Sequence, residues 1–150
     1  MSQVDCIFIA PTRGGPVQAV AAVEALTGGG LVGDRYALPA NRLAPDYEVT
    51  LVQREHIEAF ARAQGLDVAM GSLRRNIVTR GIELNDLVGY SIRIGTATLE
   101  GLELCEPCSL LSERVHPAAL SFFVGRGGLR ARVLVGGWIR LGDVITRLAV

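Results

Sequence analysis

The sequence predicts an α+β fold that is mostly β, a barrel of short strands decorated by a few short helices. Three observations predict it. Apolar residues alternate in many short runs, as half-buried strands require. Glycine and proline signals interrupt the chain at close intervals, with 18 glycines and 6 prolines in 150 residues. Only one stretch carries an extended helical pattern, so the regular strand–helix alternation of a parallel α/β sheet is missing.

The elements follow in order. The first strand is expected from about Val4 to Ala10, ended by the Pro11 to Pro16 turn. Residues Val17 to Leu26 combine helix-favouring alanine with the strand-like alternation of Val17, Ala19, Ala21 and Val23, and strand is preferred. The Gly28-Gly29-Gly30 cluster with Gly33 reads as a turn, and Glu48 to Val52 as a short strand. Arg54 to Gln64 is the clearest helix: Ile57, Phe60 and Ala61 share a face and Gly65 is the stop. Asn76 to Thr79 reads as a strand running into a Gly81 turn. Tyr90 to Ile94 and Ala97 to Leu104 form a hairpin about Gly95-Thr96, with Leu99, Gly101 and Glu103 on one face. A helical turn after Cys108 and a helix over Pro117 to Val124 precede strands at Ala131 to Val135 and Val144 to Leu148, which a glycine-bounded turn joins.

Length and charge exclude several functions. A chain of 150 residues is one domain, large enough to bury a core without disulfides or a structural metal. No apolar run approaches the ~20 residues of a membrane span, and no secretion signal opens the chain; the expected location is the cytoplasm. Fifteen acids balance fifteen bases, so no electrostatic case for nucleic acid exists. Every one of those bases is arginine, a pattern that codon bias explains better than chemistry. The absence of lysine rules out a lysine Schiff base, and with it covalently bound pyridoxal phosphate.

Three cysteines cannot all pair within one chain. Cys6 lies in the strand-like run Val4 to Ile9 and reads as a small buried apolar residue. Cys105 and Cys108 frame Cys-Glu-Pro-Cys. That spacing serves a thiolate ligand to a metal or cofactor, a redox dithiol, half of a zinc site, or no function at all. A dithiol motif normally joins a strand to a helix early in a βαβ unit, whereas this one follows a hairpin late in the chain. For zinc, Cys6, His56 and His116 would have to complete the ligands, and they form no second motif.

The run Leu73 to Val78 places Arg74 and Arg75 before an apolar strand. On a strand only one of the two can line a given pocket; Asn76 shares the face of Arg74, and Arg75 is then structural or peripheral. Arginine and asparagine together can hold a phosphate and the polar edge of a heterocycle, although a solvated strand entrance looks the same. Gly33-Asp34-Arg35-Tyr36 is either a turn with a surface ion pair or a loop edging a pocket. Gly127-Gly128-Leu129-Arg130 likewise reads first as a turn. Trp138 reads as a core or barrel-end plug, His56 as a surface helix residue and His116 as a helix-start residue.

Taken in order, Gly33-Asp34-Arg35, Arg74 to Val78, Gly89 to Gly95, Pro107-Cys108 and Gly142-Asp143 resemble the MOSC domain, named for the C-terminal domain of molybdenum-cofactor sulfurases. The resemblance covers most of the chain. It implies a MOSC-type β-barrel that holds the molybdenum cofactor (molybdopterin). The family's prominent cysteine matches Cys108, which would ligate molybdenum or carry sulfur as a persulfide. Relatives of the mitochondrial amidoxime-reducing component show a similar Arg-any-Asn-Ile-Val run. By that likeness Arg74 and Asn76 would hold the cofactor, with Arg35 and Arg130 as further phosphate contacts.

The implied activity is reduction of N-hydroxylated small molecules with electrons from a partner protein, since no iron–sulfur or flavin motif is present. Two alternatives use the same residues. One is a sulfur carrier loaded by a cysteine desulfurase, and the other is a non-catalytic cofactor-binding module. The chain is too short to include the extra N-terminal β-barrel region of the reducing component, so contacts from that region must come from elsewhere.

Overall fold

The computed structural model describes residues 1–37 and 48–148. The elements are β1 (Gln3–Ile9), β2 (Gln18–Ala19), β3 (Ala22–Leu26), β4 (Gly30–Leu31), β5 (Val49–Gln53), α1 (Arg54–Gln64), β6 (Ile77–Arg80), β7 (Ser91–Ile94), β8 (Ala97–Leu104), α2 (Ser109–Arg114), α3 (Ala119–Phe122), β9 (Leu129–Val135), β10 (Gly137–Arg140) and β11 (Ile145–Arg147). The fold is mostly β, as the sequence predicts. One sheet has the order β11-β7-β8-β9-β5-β6-β1-β2 and curls into a half-barrel, and a smaller sheet has the order β10-β3-β4. The curl brings the two ends of the barrel wall together: Gln3 bridges Val144, and the Val4 N–H donates to the Asp143 carbonyl at 2.9 Å. Among the described residues no helix is long and apolar enough to cross a membrane.

Two apolar layers fill the molecule. Inside the curl, Val4 and Ile7 of β1, Leu51 of β5, Ile77 of β6, Leu99 of β8 and Leu129 and Ala131 of β9 pack together. Outside it, Val52 and Val78 pack under Ile57 and Phe60 of α1, Leu111 of α2 and Phe123. β5 and β6 run parallel, with α1 as the crossover, and are therefore buried on both faces. That is why their sequences are nearly continuous apolar runs. α1 has the bounds its periodicity predicts; Gly65 ends it at φ 64°, the left-handed conformation that glycine adopts without strain.

Several expectations change. The connection between β9 and β11 is not a simple turn, because β10 lies within it and pairs with β3 from Gly137↔Ala25 to Arg140↔Ala22. Trp138 on β10 is 43 % exposed rather than a plug, and its ring packs under the Arg140 guanidinium. On β8, Leu99 and Gly101 share the buried face, but the register shifts between Gly101 and Glu103, leaving Glu103 exposed. The Leu87 carbonyl lies 2.2 Å from where a Gly101 Cβ would sit, so the backbone there makes an approach that only glycine permits. Cys6 is only partly buried, on the outer face of β1.

Candidate functional site: an arginine-lined cleft

The outer apolar layer stops short at one rim of the sheet, and a cleft of about 170 Å³ opens there. Its floor comes from outward-facing positions. Ala10 lies just beyond β1, Thr50 sits between inward Val49 and Leu51, and Arg130 sits between inward Leu129 and Ala131. Leu73 to Asn76, entering β6, form one wall. Asp34, Arg35 and Tyr36 form another, and Arg114, in the last turn of α2, closes the side.

Strand alternation would let only one of Arg74 and Arg75 enter a pocket, yet both line this one. The reason is backbone: Arg74 has φ 60°, the one non-glycine residue with positive φ among those described. A left-handed residue breaks the two-residue alternation, so consecutive side chains reach the same cleft. Such a conformation is costly for arginine and persists only where the surroundings enforce it. Here the Arg74 N–H donates to the Gly71 carbonyl at 3.0 Å, and its Nη1 donates to the Gly15 carbonyl at 2.5 Å. Arg75 is not peripheral: its Nε donates to the Gly127 carbonyl at 2.8 Å and its Nη1 to the Leu73 carbonyl at 3.2 Å.

Five guanidinium groups thus surround the cleft: Arg35, Arg74, Arg75, Arg114 and Arg130. Arg130 has Glu103 at 3.9 Å, whereas no ion pair among the described residues involves the other four. Burial, and then the neighbouring Arg114 and Arg35 charges, lower the pKa of Arg74. Burial likewise lowers that of Arg75; Cys105 and Cys108 oppose the shift and Arg130 adds to it. Arg35 stacks on the Tyr36 ring at 4.3 Å and donates to its hydroxyl at 2.6 Å. Converging, mutually repelling cations are relieved by an anion, and the forked guanidinium geometry matches phosphate oxygens.

Asp34 and Asn76 are placed differently from the arginines. Asp34 is not the surface ion pair its neighbours suggest: it is 3 % exposed and accepts from the Ala10 N–H at 2.8 Å and the Tyr36 N–H at 3.3 Å. Asn76 is 8 % exposed, and its amide is committed to protein partners at both ends.

The two cysteines divide between the cleft and the surface. Cys105 is buried, lines the cleft and donates its N–H to the Gly128 carbonyl at 2.7 Å. Cys108 is exposed and is the residue from which α2 starts. The intervening segment contains no turn or bend. A zinc site finds no support, since no group of three histidine, cysteine or acidic ligands occurs among the described residues. His116 lies in the turn ahead of α3, its Nδ1 accepting from the Ala118 N–H at 3.0 Å; His56 sits half-buried on α1.

Sequence reasoning did not single out Arg114, Thr50 or the cleft position of Cys105. Arg114 ends a short helix and carries no local signal of its partners, because only the packing of α2 brings it to β6. Gly127-Gly128 was a findable clue. A Cβ at Gly127 would lie 2.2 Å from the Cys105 carbonyl, and one at Gly128 would lie 1.9 Å from the Leu51 carbonyl.

Comparison with curated proteins finds no match. Among solved structures, the YuaD protein from Bacillus subtilis is similar over 97% of this chain and 94% of its own, at 19% identity and a TM-score of 0.82. YiiM from Geobacillus stearothermophilus is similar over 99% of this chain and 76% of its own, at 20% identity and a TM-score of 0.75. YiiM from Escherichia coli gives 99% and 70%, at 20% identity and a TM-score of 0.72. These likenesses concern the fold. The family model described as the MOSC domain matches residues 39–146, most of the chain and eight of the twelve residues that line the cleft; Ala10 and Asp34 to Tyr36 lie ahead of the match. The chain belongs to the MOSC domain family, which is associated in general with the molybdenum cofactor.

Proposed function

We propose that the cleft binds the anionic end of the molybdenum cofactor and that Cys108 supplies a thiolate to its metal. The observation that carries the reading is the set of Arg35, Arg74, Arg75 and Arg114, four guanidinium groups around one cleft with no carboxylate among the described residues in ion-pair distance. The donor chemistry fits: guanidinium forks suit phosphate, and a thiolate suits a soft metal. The volume fits the anionic end alone, since pockets that enclose a whole drug-sized ligand measure roughly 300–1,000 Å³.

Arg74 and Arg75 meet the phosphate from the β6 side, Arg114 from α2 and Arg35 from the Tyr36 loop, with Arg130 at the floor. Cys108, on the exposed side, holds the metal where substrate and a redox partner have access. The bound group would supply oxygen-atom and electron exchange. The reaction class is reduction of N-hydroxylated compounds in the cytoplasm, with electrons from a separate protein.

The test is the molybdenum and pterin content of the protein and its Cys108→Ala variant, both purified from a host that makes the cofactor. Near-stoichiometric molybdenum and pterin in the wild type, with molybdenum lost from the variant, is the expected result. A variant that retains its molybdenum overturns the ligand role.

A second reading follows from the exposure of Cys108: a sulfur carrier loaded as a persulfide by a cysteine desulfurase. Non-reducing mass spectrometry after incubation with such an enzyme would show one added sulfur on Cys108, and its persistent absence removes this reading. Stoichiometric cofactor without turnover for any electron donor would instead leave a binding module.

A further inference from the structure

We infer that Asp34 and Asn76 form a buried clasp that positions the guanidinium groups of the cleft, acting through the backbone rather than by touching the ligand. The inference rests on the cleft being an anion site. Asn76 uses its whole hydrogen-bonding capacity on the protein. Its Oδ1 accepts from the Thr50 N–H at 3.0 Å and the Thr50 hydroxyl at 3.3 Å. Its Nδ2 donates to the Phe8 carbonyl at 3.1 Å and to Asp34 Oδ1 at 3.4 Å. An amide has two donor hydrogens and two acceptor lone pairs, so none is left for a ligand. The opposite amide orientation would set its oxygen against the Phe8 carbonyl and the Asp34 carboxylate, so the partners fix which way it points.

Asp34 completes the clasp with acceptors only, taking N–H groups from Ala10, Tyr36 and Asn76. Four segments therefore meet at one buried pair: the end of β1, the turn that carries Arg35, the start of β5, and the entry to β6 that carries Arg74 and Arg75. The Arg35 N–H also donates to the Ala10 carbonyl at 2.9 Å, which ties the Arg35 turn to the segment that Asp34 holds. Residue 34 must offer no proton, because three donors already point at it. Residue 76 must both give and accept. Asp and Asn meet these requirements, and exchanging either for the other sets like groups face to face.

Simple electrostatics and the clasp predict opposite outcomes for Asp34→Asn. Removing a negative charge beside five arginines should tighten anion binding. Breaking the clasp should loosen it, because the new amide NH2 meets the Ala10 or Tyr36 N–H.

The experiment is calorimetric titration of inorganic pyrophosphate into the wild type, Asp34→Asn and Asn76→Ala, with amide hydrogen exchange on each protein without ligand. Each variant is expected to bind about tenfold or more weakly, with faster exchange at Ala10, Thr50 and Tyr36. Asp34→Asn binding as tightly as wild type, or tighter, overturns the clasp. So does Asn76→Ala losing affinity with those amides still protected, which would make Asn76 a direct ligand. Rapid exchange of the Ala10 and Tyr36 amides in the wild type overturns the clasp even if a variant fails to fold. A wild type that binds no pyrophosphate removes the anion site itself, and the clasp with it.

Discussion

Replacing Arg74 with glycine and, separately, with alanine divides what its backbone does from what its side chain does. At an ordinary surface position glycine is less stable than alanine by roughly 0.5–1 kcal/mol, because it loses more conformational freedom on folding. Arg74 has φ 60°, where a Cβ costs roughly 1–2 kcal/mol that glycine escapes. The two terms oppose each other and the steric one is larger, so Arg74→Gly should be the more stable variant by about 0.5–1 kcal/mol. For a domain of this size that is a difference of roughly 1–4 °C in Tm. Both variants lose the same guanidinium and the same bond to the Gly15 carbonyl. They should therefore weaken pyrophosphate binding alike, by about tenfold or more for a lost charge-assisted hydrogen bond. Thermal and urea unfolding measure the first comparison and calorimetry the second. An alanine variant more stable than the glycine variant would refute the left-handed assignment, and with it the account of how two adjacent arginines share one cleft.

Four further outcomes are expected. Phe60→Ala should cost about 3–5 kcal/mol in urea unfolding, since Phe60 is fully buried with ring centroids 5.1 Å from Phe122 and 5.2 Å from Phe123. Gly128→Ala should yield little folded protein on expression, because φ 113° and the Leu51 carbonyl at 1.9 Å leave no room for a methyl group. In the native protein a thiol reagent should label Cys108 quickly and Cys105 only after unfolding, as their exposures differ; equal rates would mean the segment opens freely. Burial, and then the Asp5 charge, raise the Cys6 pKa. With the folded value above the unfolded ~8.5, this contribution to stability is complete below that pH and is lost as pH rises through the folded value. Unfolding of Cys6→Ala should show a shallower alkaline decline than the wild type.

Much of the architecture was legible because it depends on local periodicity. The three-and-four spacing of Ile57, Phe60 and Ala61 with the Gly65 stop marks α1, and the alternation around Gly95 marks the β7–β8 hairpin. β10 was hidden because Gly137 and Gly142 bracket a short run whose pairing with β3 lies more than a hundred residues away in sequence. A strand stabilised by so distant a partner has no local signature beyond its turns.

The site divides along the same line. Its residue types, a thiol in Pro-Cys and an Arg-Arg-Asn run, are properties of the sequence alone, and so is the family likeness they carry. Which arginines converge, which cysteine faces the cleft and which polar residues are already spent were decided by the tertiary structure. A single left-handed backbone angle turns Arg74 and Arg75 to one side, the packing of α2 adds Arg114, and Asn76 is consumed by contacts with Phe8, Thr50 and Asp34. Such contacts join segments 26 to 68 residues apart, a distance over which pattern carries no information and only the closed fold does.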